Sequence, residues 1–217
     1  MILAGKNLTF RYPRQKGPPP VDGVSLTLSS GERIGLAAPS GRGKTTLCRL
    51  LAGWERPQAG QVLLDRLPLA QYRGFCPVQL LWQHPEQAVD PLLRLGTTLH
   101  EAGPVDRGIL DGLGIRNSWL ERYPSELSSG ELQRICLARA LGPGLRFLLC
   151  DESSAMLDLI TQAQLWSFLL SQAEERNLGL LVVSHHAALL ERVCTKVVSW
   201  AELVESSTSP GTAGGCG

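Results

Sequence analysis

The chain has 217 residues, 43% of them apolar and 19% charged, and a formal net charge of +1. That is enough apolar material for one compact core with a small attached lobe, and a charge balance that predicts no nucleic-acid-binding surface. No apolar run approaches the ~20 residues that cross a bilayer, and the first residues lack a signal-peptide layout.

Six cysteines are dispersed at positions 48, 76, 136, 150, 194 and 216, with no C-x-x-C pair. This argues against zinc or an iron–sulfur cluster and predicts a cytosolic chain with reduced thiols. Cys48, Cys136 and Cys150 fall in apolar patterns and read as small core residues.

Taken in order, Ile2–Phe10 alternates weakly and predicts a strand, with Tyr12 just beyond it. Residues 15–20 end in three prolines and cannot be regular structure, because proline removes a donor and fixes φ. Residues 24–28 alternate with period two, as a half-buried strand does. A turn at 29–31 leads into Arg33–Ala37, a buried-looking strand, and a helical pattern follows over 46–52. After a turn at 57–60, residues 61–64 form a short strand, so strands of antiparallel type flank one of parallel type.

Residues 74–82 are apolar and β-rich and end at Gln83. From about 84 to 130, prolines and short Leu-rich pieces predict a smaller helical lobe. Residues 128–141 are helical by spacing. Residues 146–150 form a continuous apolar run that closes on Asp151-Glu152, the pattern of a central parallel strand in an α/β fold. Leu159–Glu175 reads as a helix, 178–184 as another buried strand ending at His185-His186, Ala187–Val193 as a short helix, and 196–200 as a last strand. Residues 206–217, rich in Ser and Gly, predict disorder, and no internal repeat is present.

The chemistry gathers where strands end. Ala38-Pro39-Ser40-Gly41-Arg42-Gly43-Lys44-Thr45-Thr46 joins a strand to a helix, the context a phosphate-binding loop requires. Its glycines let the backbone wrap an anion while the helix N-terminus faces it. Lys44 can reach β- and γ-phosphates, and the Thr45 hydroxyl can ligate Mg²⁺. Ala38 stands where the pattern has its first glycine, which predicts an altered turn, since alanine tolerates positive φ poorly.

Asp151 suits a second Mg²⁺ contact made through water, and Glu152 suits a base that polarises attacking water. The competing reading is an acidic helix N-terminus. Leu127-Ser128-Ser129-Gly130-Glu131 precedes a helix. Ser128 or Ser129 can cap it, which explains one serine at most; the competing reading is a second phosphate cradle, in which Gly130 permits close backbone approach and the helix N-terminus faces an anion. Two cradles so far apart in sequence predict a head-to-tail dimer with each ATP between subunits.

These residues together resemble the ATP-binding subunit of an ABC transporter. Residues 38–45 match its Walker A motif except at Ala38, and 147–152 match Walker B with the catalytic glutamate. Residues 127–131 are similar to the signature motif, with Ser129 for its first glycine and Glu131 for its glutamine. Residues 154–158 resemble the D-loop, although Ser153 replaces a proline and Met156 is unusual.

The resemblance implies a P-loop NTPase fold over residues 1–204, with a RecA-like core, a small antiparallel β subdomain and an α-helical subdomain. It implies that Tyr12 stacks on adenine, that Gln83 touches Mg²⁺ and the attacking water, that His185 contacts the γ-phosphate, and that Asp158 contacts the opposite subunit. His186 is then a bystander. The implied cofactors are ATP and Mg²⁺. The implied partners are permease subunits in the membrane, a second ATPase subunit (identical or paralogous) and, indirectly, an extracytoplasmic binding protein. The implied location is the cytoplasmic face of the inner membrane.

Residues 82–91 are similar to the segment after the Q-loop in importers of peptides, nickel and opine-type metal chelates. The extended C-terminal segment common in peptide importers is missing, which leaves nickel or a metal chelate at least as well supported as peptide. Two competitors stay open: a non-transport ABC ATPase acting on DNA or ribosomes, and a small-molecule P-loop kinase, which would lack the 127–130 motif.

Overall fold

The computed structural model describes residues 1–39, 41–153 and 158–205. Its elements run β1 (Ile2–Phe10), β2 (Val21–Ser29), β3 (Arg33–Ala37), α1 (Lys44–Leu51), β4 (Ala59–Leu64), β5 (Leu67–Pro68), β6 (Val78–Leu81), α2 (Leu95–His100), α3 (Arg107–Gly112), α4 (Asn117–Leu120), α5 (Ser129–Ala140), β7 (Phe147–Asp151), α6 (Leu159–Glu175), β8 (Gly179–Val183), α7 (Ala187–Val193), β9 (Lys196–Ser199) and α8 (Trp200–Glu205).

The strands divide by direction. An antiparallel sheet has the order β2-β1-β4-β5, and a parallel sheet the order β6-β7-β8-β3-β9. The central parallel strands β7 and β8 are buried on both faces, which is why they read as unbroken apolar runs, whereas edge strand β9 is largely exposed. In β7, Phe147 and Leu149 enter one core while Leu148 and Cys150 enter the other. In β8, Leu181 and Val183 enter the first and Leu180 and Val182 the second.

The first core also takes Leu47, Cys48 and Leu51 of α1 and the inward residues of β1 and β2. The second takes Ile135 and Leu137 of α5 and Leu165, Trp166 and Leu169 of α6, and runs on to Leu95, Leu99, Ile109 and Trp119. The short helices α2 to α4 therefore have no core of their own; they extend the one beneath α5.

Register fixes the edge that matters. Leu36 and Asp151 both pair with Val183, and Leu81 pairs with Cys150. Because these strands are parallel, Ala38, Gln83, Glu152 and His185 leave the sheet on one side, the edge where open α/β sheets bind ligands.

Element ends shift by a few residues, with β2 starting at Val21, α1 at Lys44 and β4 at Ala59 inside the turn expected at 57–60, and two larger details differ from the sequence expectations. The strand expected over 74–82 is only Val78–Leu81, since Gly74 has φ +82° and Pro77 cannot donate to a ladder. Helix α8 was not expected. Ser199 and Glu202 start it with a reciprocal cap: the Ser199 amide donates to Glu202 Oε2 at 2.6 Å, and the Glu202 amide donates to Ser199 Oγ at 3.4 Å. The tail expected to be disordered, 206–217, lies outside the described residues, as do Ser40 and residues 154–157 of the D-loop-like stretch.

Candidate nucleotide site

The loop between β3 and α1 is shaped by its glycines. Gly41 has φ +79°, and Gly43, the N-cap of α1, has φ +95°. A methyl group on Gly43 would overlap the carbonyl of Pro20, so the proline-rich segment packs directly against the loop. Ala38 is 8% exposed and is not among the non-glycine residues with positive φ. The turn strain expected of an alanine at this position is therefore absent. Pro39, Gly41 and Arg42 are exposed and Thr45 is half-buried.

Lys44 is buried, and its ammonium donates to the carbonyls of Ala38 at 2.7 Å and Pro39 at 3.1 Å. The same nitrogen lies 3.6 Å from Glu152 Oε1. Glu152 directly follows β7, with its amide donating to the Val183 carbonyl at 3.0 Å. Its φ is +45°, a conformation L residues other than glycine rarely hold. Its second oxygen lies 3.5 Å from His185 Nδ1. His185 is half exposed, and its ring lies 4.5 Å from that of His186. His186 caps α7 through its backbone and makes no contact with Glu152 among the described ion pairs.

Asp151 ends β7 at 4% exposure, and its Oδ1 has no hydrogen-bond partner among the described residues. Burial raises its carboxyl above the usual range; the nearby Thr45 hydroxyl, Lys44 and Arg49 oppose that rise. A buried, orphaned carboxylate oxygen beside a threonine hydroxyl fits a hydrated Mg²⁺, which takes hard oxygen donors and keeps several waters. Gln83 lies two residues beyond β6, half-buried on the same edge. The carbonyl of its neighbour Trp82 accepts from Gln133 Nε2 of α5 at 3.1 Å.

Tyr12 sits over α1. Its ring meets Phe10 edge to face at 4.9 Å, and its hydroxyl accepts from Thr46 Oγ1 at 3.4 Å and Arg49 Nη1 at 3.3 Å. Sequence reasoning missed Arg49, although its spacing of three from Thr46 puts both on one helix face.

The residues 128–131 form a second, separate group. Ser128 caps α5 in a reciprocal box: its hydroxyl accepts from the Glu131 amide at 3.3 Å, and Glu131 Oε2 accepts from the Ser128 amide at 2.9 Å. Chiefly the Ser128 amide holds the Glu131 carboxyl below its usual range; burial opposes it, and the Ser128 hydroxyl and the charges of Arg122 and Arg116 add to the lowering. Ser129 is the first residue of α5, so a side chain there meets no backbone penalty.

Ser128, Ser129, Gly130 and Glu131 line an open cavity of about 520 Å³ together with Arg116 and Asp158. No described residue of the 38–46 loop lines it. Asp158 caps α6, accepting from the amides of Ile160 at 3.1 Å and Thr161 at 3.0 Å. A larger open cavity of about 770 Å³ between α3, α5 and α6 contains none of the expected site residues. The structure thus brings Tyr12, Lys44, Thr45, Thr46, Asp151, Glu152 and His185 together, and sets 128–131 and Asp158 apart from them.

The family model described as ABC transporter matches residues 21–155. The chain is 37% identical over 193 residues to the nickel import ATP-binding protein NikE of Rhodospirillum rubrum, covering 81% of this chain and 70% of that one. It is 34% identical over 196 residues to the nickel import ATP-binding protein NikE of Escherichia coli, covering 82% and 73%. It is 33% identical over 198 residues to the methionine import ATP-binding protein MetN of Caulobacter vibrioides, covering 84% of this chain and 59% of that one. Among solved structures, the dimeric ATP-binding cassette MJ0796 bound to ADP and Pi has a TM-score of 0.78 at 21% identity, covering 91% of this chain and 93% of that one. At that identity the likeness is one of fold.

Proposed function

We propose, since the chain belongs to the ABC transporter family and is an ATPase of it, that it powers import through a membrane permease, with nickel, a metal chelate or a peptide as cargo. The observation that carries the ATPase reading is the convergence of Lys44, Glu152 and His185 at one strand edge. Lys44 binds the β- and γ-phosphates. Glu152 polarises water in line with the γ-phosphate, and His185 holds the γ-phosphate side of that geometry. Thr45 and Asp151, with Gln83 nearby, would hold Mg²⁺, which supplies charge neutralisation when bound. Tyr12 stacks on adenine.

The separation of the 128–131 cavity from Lys44 supports a composite site. Each subunit offers its helix end to the ATP of the other, and Asp158 lies at the seam. Leu159 and Ile160, beside Asp158, are 82% and 73% exposed, large apolar side chains where a second subunit would cover them. Among the described residues no helix is long and apolar enough to cross a membrane. A peripheral subunit at the cytoplasmic face is the corresponding arrangement, and an extracytoplasmic binding protein would deliver the cargo. The importer reading rests on the relatives named nickel, methionine and peptide import proteins.

The test is reconstitution with the permease in vesicles. Wild-type subunit supports ATP-driven uptake of nickel, a nickel chelate or peptide, and Lys44→Ala abolishes both uptake and hydrolysis. Hydrolysis without uptake of any of these, or copurification with nucleic acid or ribosomes in place of a permease, overturns the importer reading. Wild-type hydrolysis by Lys44→Ala overturns the site.

A further inference from the structure

Arg49 belongs to none of the nucleotide motifs, yet it is built into the site. Its Nη1 donates to the Tyr12 hydroxyl at 3.3 Å, and its guanidinium carbon lies 4.8 Å from the centre of the Trp82 ring. Trp82 in turn meets Trp54 edge to face at 5.3 Å. Arg49 Nε is buried with no hydrogen-bond partner among the described residues, so the guanidinium is committed to this slot by its plane and by Nη1. A planar fork can stack on an indole and donate to a phenol at once, which an ammonium cannot do as well.

The Tyr12 ring has three anchors: Phe10 against the ring, and Thr46 and Arg49 at the hydroxyl. A stacking platform works only if its plane is fixed before the base arrives; otherwise binding must order it. We propose that Arg49 is a positioning residue of the nucleotide site, clamped by Trp82 and holding the Tyr12 ring in the plane that receives the base. This rests on the reading of Tyr12 as the residue that stacks on adenine. Arg49 acts on the base half of the nucleotide through Tyr12; its charge also reaches Asp151, so Arg49→Lys, which keeps that charge, is the control for the phosphate half held by Lys44.

The test compares two probes on the full chain with Mg²⁺: ATP, and inorganic tripolyphosphate, which has no base. Arg49→Met keeps an apolar stem against Trp82 and removes the donor. It should lower ATP affinity about five-fold, the scale of one hydrogen bond, and leave tripolyphosphate affinity unchanged. Arg49→Lys should fall between Met and wild type. Tyr12→Leu should show the same selective loss, and the double variant should lose no more than Tyr12→Leu alone.

Unchanged tripolyphosphate binding also reports that each variant is folded. If Arg49→Met fails to bind either probe, Arg49→Lys decides, and a Lys variant without a base-selective loss overturns the proposal. Selective loss in Tyr12→Leu with wild-type behaviour in both Arg49 variants overturns the Arg49 inference alone. Wild-type ATP binding by Tyr12→Leu overturns the adenine reading and the inference with it.

Discussion

The Glu152 carboxylate lies 3.6 Å from the Lys44 ammonium, with both side chains largely buried. The pair joins the end of β7 to the start of α1, and it exists because Glu152 turns out of its strand at φ +45°. A left-handed glutamate is held there by its surroundings, including the hydrogen bond its amide donates to the Val183 carbonyl. That conformation sets the carboxylate at the strand edge between Lys44 and His185.

Glu152→Gln keeps size and removes the charge. ATP should still bind within a few-fold of wild type, because Lys44 and the loop glycines are intact. Turnover should fall by at least about 100-fold, the contribution of a positioned general base. Binding and single-turnover hydrolysis measured on one preparation check this. Normal turnover would mean that the base lies elsewhere and that Glu152 serves Lys44 as a structural partner.

Asp151 gives a pH-dependent test. Burial raises its folded-state carboxyl above the usual value of 3.8, so the folded chain favours the protonated form. The stability this group supports is fully present below 3.8 and is lost as pH rises through the folded-state value. Asparagine cannot ionise and carries no such loss. In metal-free buffer, Asp151→Asn should therefore exceed wild type in stability, by about 1 kcal/mol near neutral pH, with the gap shrinking as pH falls toward 4. Mg²⁺ with ATP should stabilise wild type more than the variant. Thermal unfolding at several pH values reads both effects; a gap that widens on acidification would remove burial as the cause.

Much of this was legible in the sequence because each signal was local. Strand Arg33–Ala37, the glycine loop and Lys44-Thr45 lie within residues 33–45, and burial on both faces left β7 and β8 as unbroken apolar runs. Contacts between distant segments were not legible. No pattern near Tyr12 points to Arg49, or near Gly43 to Pro20; both depend on how β1 and the proline-rich segment fold over α1. The Ser199–Glu202 box was visible but lies where a strand ends, and the strand pattern masked it. The antiparallel and parallel strands of the N-terminal part were separable by type, yet only pairing shows that they enter two sheets.

The two departures from glycine carry a prediction of their own. Ala38 does not sit at positive φ, and Ser129 is an ordinary first helical residue. Restoring glycine therefore relieves no backbone strain. Ala38→Gly and Ser129→Gly, singly and together, should leave turnover within about two-fold of wild type, with a stability loss of about 0.5–1 kcal/mol for the helical position. Steady-state hydrolysis and chemical denaturation measure these. A several-fold rise in turnover would show that the side chains themselves, as opposed to backbone strain, obstruct the phosphates.

The last prediction separates a helix cap from a phosphate cradle at Ser128. The reciprocal box with Glu131 accounts for the Ser128 hydroxyl in the single chain, so capping geometry alone does not distinguish the two readings. Aspartate does. It caps a helix about as well as serine but replaces the hydroxyl that donates to Glu131 Oε2 at 2.9 Å, so Ser128→Asp should lose no more than about 1 kcal/mol of stability. It also adds a second negative charge beside Glu131 where a triphosphate must approach across the subunit seam. The variant should bind ATP at its own Lys44 with normal affinity and fail to form the ATP-dependent dimer. Mixing it with Lys44→Ala subunits should leave at most one complete composite site. Replacing exposed Ile160 with Asp should weaken the same dimer without touching ATP binding in the monomer. Equilibrium ATP binding and size-exclusion behaviour of the isolated subunits, with hydrolysis measured on the purified complex with the permease, read all of these. If Ser128→Asp dimerises on ATP and hydrolyses it normally, residues 128–131 are a capped helix and nothing more, and ATP is held within one subunit.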